Sequence, residues 1–114
     1  MSFNMFSRSR RDADPDLVEF GDLEEAVSAG TWTVVDVREP HEFAVGHIPN
    51  ALNLPLSSFD PKELPRGKPV VLLCQAGGRS KNALNRARAA GRDDVRHYAG
   101  GMNGWRSHGG DVTL

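Results

Sequence analysis

Val70-Val71-Leu72-Leu73-Cys74-Gln75-Ala76-Gly77-Gly78-Arg79-Ser80 is the stretch that decides the fold. Four consecutive apolar residues are what a central parallel strand needs when helices cover both of its faces. The run stops at Cys74, and a glycine-bearing loop leads to a segment of helical period from about Ser80 to Ala90. Ala83, Leu84, Ala87 and Ala90 fall on one face of that segment, and the alanines let its backbone lie close to a sheet. Gly91 ends it, and Val95 to Tyr98 supplies the next strand. Strand, helix and strand between Val70 and Tyr98 form one βαβ unit, right-handed by the usual packing rule. The class is α/β with a mostly parallel sheet.

Upstream, Leu17 to Phe20 follows Asp14-Pro15-Asp16 and suits a short first strand. Asp22 is placed to cap a helix over Leu23 to Ala29, with Glu24 and Glu25 in its first turn and Gly30 as its stop. Trp32 to Val37 is rich in β-branched residues, contains Asp36 near its end, and suits a buried strand. Pro40 opens a short helix through Val45, closed by Gly46. Pro49, Pro55 and Ser57-Ser58 make the stretch from Gly46 to Asp60 mostly loop, with a short strand near Leu52 to Leu54. Pro61, Pro65, Gly67 and Pro69 mark a further connection. Downstream, a short helix near Met102 to Ser107 precedes a glycine-rich tail.

At 114 residues the chain is one ordinary domain. Hydrophobic residues make up 39% and charged ones 25%, the balance of a water-soluble globular protein. A net charge of −1 gives no global attraction to nucleic acid or to anionic membranes, so neither is an expected partner. No apolar run approaches the roughly 20 residues that span a bilayer. Residues 1–15 suit a flexible basic N-terminal arm carrying Arg8, Arg10 and Arg11, without the apolar core of a secretory signal, and 16–114 form the domain. One cysteine excludes an internal disulfide and fits a reducing compartment, hence a cytoplasmic location. His41, His97 and His108 lack ligand-like spacing, so no metal and no cofactor is expected.

Cys74 stands at the carboxyl end of the most apolar strand, where open α/β sheets place their ligands. Gly77 and Gly78 permit backbone conformations that turn successive N–H groups inward, and the helix N-terminus behind them adds more. Arg79 supplies a full positive charge. Gln75, Ala76, Gly77, Gly78, Arg79 and Ser80 thus describe an anion cradle with the Cys74 sulfur at its floor. The same features lower the thiol pKa below its free value of roughly 8.5. A lone cysteine is more often a small buried hydrophobe; the loop around this one favours chemistry.

Several blocks in order resemble the rhodanese domain family: Asp36-Val37-Arg38, Glu42-Phe43, Gly46-His47-Ile48-Pro49, Ala51, Cys74-x-x-Gly77-x-Arg79-Ser80, and Gly100-Gly101 with Trp105. The resemblance runs from about Asp16 to the end. It implies a single domain with a five-stranded, mainly parallel sheet flanked by helices. It also implies sulfur transfer in two steps. The Cys74 thiolate takes sulfane sulfur from a small anionic donor such as thiosulfate, and the persulfide passes it to cyanide or to a thiol, including a protein thiol.

Around Cys74, Arg79 suits either the sulfite end of such a donor or the support of the loop, with an electrostatic role favoured. Ser80 suits either a hydrogen bond to the persulfide or a helix cap. Asp36, Arg38, Glu42 and His47 are expected to brace the site, with Arg38 and Glu42 spaced for an ion pair at a helix start. Trp105 and Phe43 suit the core. Lys81, Arg86, Arg88 and Arg92 suit a solvated basic surface on the helix behind the cysteine.

Two alternatives stay open. One is a relay that holds persulfide for a partner protein. The other, less favoured, is a phosphatase of the cell-cycle type, whose loops carry one more residue than the four between Cys74 and Arg79. Neutral Gln75 and Ala76 stand where tandem-domain thiosulfate enzymes tend to be basic, which weighs against thiosulfate as the physiological donor. Asn50 stands where relatives often have glycine.

Overall fold

The central strand of the sheet is the apolar run singled out above. In the computed structural model, which describes residues 14–114, Val70–Leu73 is fully buried along its length. In chain order the elements are α1 (Phe20–Ala29), β1 (Thr33–Asp36), α2 (Pro40–Ala44), β2 (Leu52–Asn53), two 3-10 turns (Leu56–Ser58 and Pro61–Glu63), β3 (Val70–Leu73), α3 (Gly78–Ala89), β4 (Val95–His97) and α4 (Gly101–Ser107). The sheet has the order β2-β1-β3-β4 with every pair parallel. All its carboxyl ends therefore point one way, and the loops after β1 and β3 meet there.

Alternation along the strands divides the core into two layers. Val34, Val71 and Leu73 pack with Leu23 and Ala26 of α1 and with Met102 and Trp105 of α4. Val35, Val70, Leu72 and Cys74 face the other way, against Ala83, Leu84 and Ala87 of α3 and against Phe59 and Leu64 of the long connection. Helices thus cover both faces, which is why β3 tolerates no polar residue.

The expected fifth strand is reduced to a single parallel bridge between Leu17 and His97, outside β4, so the sheet proper has four strands. Phe20 belongs to α1 instead, because its ring packs on Trp105 at 5.2 Å and on His108 at 4.9 Å. Asp22 consequently lies inside the first turn, and Glu19 holds the capping position without a side-chain capping bond to the helix. Gly30 closes α1 in the left-handed region at φ 69°. Ala90 is exposed at the end of α3 rather than part of its packed face. Asn50, at φ 68°, adopts the left-handed backbone that glycine takes most easily, and asparagine is among the few other residues that enter it. The expected arm over residues 1–15 lies outside the described residues except for Asp14 and Pro15.

The basic surface behind the cysteine is not what the sequence suggests. Arg92 is buried after the helix, donating to the Leu64 and Pro65 carbonyls and pairing with Asp94. Arg86 donates to the Phe59 carbonyl and lies over its ring, and Arg88 donates to the Val95 carbonyl and pairs with Asp16. These cations tie connections to the helix; Lys81 keeps an exposed ammonium 3.5 Å from Asp16.

Candidate active site

Cys74 is 1% exposed, at the first position beyond β3. Its Sγ accepts hydrogen bonds from the backbone N–H of Gly77 at 3.1 Å and of Ser80 at 3.3 Å, and lies 3.7 Å from Ser80 Oγ. Burial alone pushes the thiol pKa up. The Ser80 N–H and hydroxyl, followed by the N–H groups of Gly77 and Ala76, outweigh it, and the pKa lies below its ordinary value. The groups directed at the sulfur are therefore largely backbone.

Glycine makes the approach possible. Gly77 has φ 104°, and a Cβ there would stand 2.5 Å from the Ala99 carbonyl oxygen. The start of α4 holds the other side of the loop: Met102 N–H donates to the Cys74 carbonyl at 2.8 Å, and Asn103 N–H to the Gln75 carbonyl at 3.1 Å. Gly101, at φ 61°, leaves room for this, since a Cβ there would lie 2.5 Å from the Gln75 oxygen and 2.6 Å from that of Cys74. The carbonyls at the start of the loop are taken up by α4, while its later N–H groups turn to the sulfur.

Arg38 forms the second support. It is 3% exposed, chelates both Asp36 carboxylate oxygens, and donates to the Gly46 carbonyl at 2.7 Å and to Gln75 Oε1 at 3.2 Å. Gln75 Nε2 in turn donates to Asn103 Oδ1 at 2.6 Å. The Gln75 side chain is thus a strut between Arg38 and α4, not a free wall of the cradle. Ala76 and Gly78 are exposed at its mouth.

Arg38 and Glu42 do not form the ion pair their spacing suggests. Glu42 receives a bidentate bond from Arg79 at 2.7 and 3.0 Å, and its Oε1 also accepts the Glu39 N–H at 2.9 Å, closing a capping box on α2. The Arg79 guanidinium holds the Glu42 carboxyl down to about 2, and the same contact raises Arg79. His47 is a scaffold residue: Nδ1 bonds the Phe43 carbonyl at 2.8 Å and the ring stacks on Phe43 at 3.7 Å. Trp105 is core as expected, whereas Phe43 is only half-buried.

Three contributors near the sulfur escape the sequence pattern. Gly101 and Asn103 were visible only as parts of a glycine doublet and a short helix. His97 carried no signal, yet its Nδ1 lies 2.8 Å from Ser80 Oγ. Lone residues whose partners are 17 and 28 positions away leave no local spacing to read.

Fold and site together define a single α/β unit organised around a cysteine loop at the carboxyl end of its central strand. Residues 19–108 match the rhodanese-like domain, and the chain belongs to that family. An uncharacterized protein of Synechocystis is 47% identical over 78 residues, which is 67% of this chain but 44% of that relative, so the chain spans less than half its length. The thiosulfate:glutathione sulfurtransferase of Saccharomyces cerevisiae is 32% identical over 122 residues, covering 92% of this chain and 88% of that protein. A rhodanese-related protein from Thermoplasma volcanium superposes with a TM-score of 0.77 at 33% identity, over 86% of this chain and 97% of the other. At the level of its family the chain is of the sulfurtransferase type. No helix among the described residues is long and apolar enough to cross a membrane.

Proposed function

We propose that the protein transfers sulfane sulfur through a persulfide on Cys74, taking it from a small anionic donor of the thiosulfate kind and giving it to a thiol or to cyanide. The observation that carries this reading is the pair of backbone N–H groups, from Gly77 and Ser80, directed at Sγ. They favour the thiolate in the free protein and remain available to an anionic outer sulfur. In the first half-reaction the Cys74 thiolate attacks the outer sulfur of thiosulfate; a sulfur–sulfur bond forms to Cys74 and sulfite leaves with the electron pair of the bond that breaks. In the second, the acceptor anion attacks the outer sulfur and Cys74 leaves as thiolate. Such a double displacement gives ping-pong kinetics. The yeast relative, whose name specifies thiosulfate and glutathione, supports a thiol acceptor.

Incubation with thiosulfate followed by intact-mass measurement under non-reducing conditions should show one added sulfur atom on wild-type protein and none on Cys74→Ser. Absence of the adduct from wild type, or full transfer activity in Cys74→Ser, refutes the mechanism. A relay role differs only in the second step. It would give slow turnover with cyanide and fast transfer to a protein thiol in the same reducing compartment.

A further inference from the structure

Ser80 Oγ has more neighbours than its one hydrogen can serve. The Gly77 carbonyl lies 3.2 Å away, Cys74 Sγ 3.7 Å, and His97 Nδ1 2.8 Å. His97 is 4% exposed, the last residue of β4, and its ring makes this contact with Ser80. The hydroxyl therefore has two arrangements. With the imidazole hydrogen on Nε2, Nδ1 accepts the Ser80 hydrogen and the sulfur loses a donor. With it on Nδ1, the ring donates to Oγ, and the hydroxyl hydrogen is released toward the sulfur or the Gly77 carbonyl. A negative sulfur draws it in preference to a neutral carbonyl, because hydrogen bonds to ionised acceptors are the stronger ones.

We propose that His97 is a positioning residue of the sulfur site: its Nδ1–H donates to Ser80 Oγ and commits the Ser80 hydroxyl hydrogen to the Cys74 sulfur. The imidazole does not touch the sulfur; it acts through Ser80. It does so as a neutral ring. Burial lowers the His97 pKa, Lys81 of α3 lowers it further, and Asp16 and Asp14 of the preceding segment oppose them without reversing the direction. A neutral relay leaves the sulfur as the only charged group among the three, which keeps the thiolate nucleophilic rather than locked in an ion pair. The consequence for turnover rests on Cys74 as the sulfur carrier. The effect on the thiol itself does not.

The test is the pH–rate profile of Cys74 alkylation by iodoacetamide, measured without any sulfur donor, so that failure of persulfide loading and failure of the relay are separate results. His97→Leu removes the donor that fixes Ser80 Oγ in place and polarises its O–H, and so weakens the hydroxyl's bond to the sulfur. Its profile should move to higher pH, with the rate at pH 7 about three- to tenfold lower, as the loss of one net hydrogen bond implies. His97→Asn puts an amide nitrogen near the place of Nδ1 and should restore most of the rate. Ser80→Ala should slow alkylation similarly, and adding His97→Leu to it should change little more, because both act on one hydrogen bond. A His97→Leu profile that superimposes on wild type overturns the proposal, as does simple multiplication of the two effects. Should circular dichroism show His97→Leu unfolded, His97→Gln, whose amide sits one carbon too far, takes its place: the same slowing supports the relay and a wild-type rate refutes it.

Discussion

Two arginine–carboxylate pairs flank the cysteine loop, and they are built for different work. Arg38 and Asp36 are sealed, with side chains 4% and 0% exposed, and every contact of the guanidinium is with a group that shapes the loop region. Arg79 and Glu42 are 36% and 25% exposed at the rim. The first pair is a fixed part of the wall. The second is a charge held in reserve, because Arg79 faces the cradle side of the molecule already neutralised by a partner. An electrostatic role was expected of Arg79 and a bracing one of Arg38; burial and partners set the two pairs apart.

Three substitutions test that contrast. Arg38→Met leaves the Asp36 carboxylate buried without its partner, and urea denaturation should show a loss of about 3–5 kcal/mol. A loss below about 1 kcal/mol would mean that the sealed pair is not a structural support. Gly101→Ala leaves both pairs intact but places a Cβ against the Gln75 and Cys74 carbonyls in a left-handed backbone. It should cost about 1–3 kcal/mol and slow sulfur loading, since it moves the loop that both arginines frame. Unchanged stability and loading would show that α4 does not hold the loop.

Glu42→Gln should be the mildest, costing under about 1 kcal/mol at pH 7 because the pair is partly solvated. Its signature is functional: the freed Arg79 should lower KM for thiosulfate by about two- to fivefold, with kcat little changed. A KM that stays put or rises would place Arg79's charge outside the donor's reach. Glu42 titrates at about 2 in the folded protein against 4.5 ordinarily, so its stabilisation is complete above 4.5 and disappears as pH falls through about 2. The stability gap between wild type and Glu42→Gln should accordingly be flat from neutral pH to about 5 and close below 4.5.

Much of the fold was legible because it is written in local patterns. The apolar run of β3, the alanine face of α3 and the glycine after α1 each report their own element. The misreadings arise where a distant partner overrides the local signal. Leu17 to Phe20 has strand composition, yet Trp105 and His108 draw Phe20 into a helix. Arg38 and Glu42 stand four apart, the spacing of a helical pair, yet Asp36 takes the one and Arg79, 37 positions on, takes the other. The cysteine loop could be read as a cradle because its glycines and arginine are contiguous. What tunes it could not, because His97, Gly101 and Asn103 reach it only through the crossover that brings β4 and α4 alongside β3.

The parallel register sets Asp36 opposite Leu73, which places the arginine-bracing carboxylate and the cysteine one step apart on neighbouring strands. Side chains alternate between the two core layers, so Cys74 shares a face with Val70 and Leu72 rather than with Val71 and Leu73. The site is in this sense a matter of parity. An odd-numbered insertion or deletion within 70–73 would swing the sulfur to the α1 and α4 side, away from the N–H groups of Gly77 and Ser80, however well the altered chain packed. The connection from 54 to 69 is under no such rule. Lineages of this domain should vary in the length of that connection, so long as residues like Phe59 and Leu64 keep their places in the core, and hardly at all in the length of the central strand.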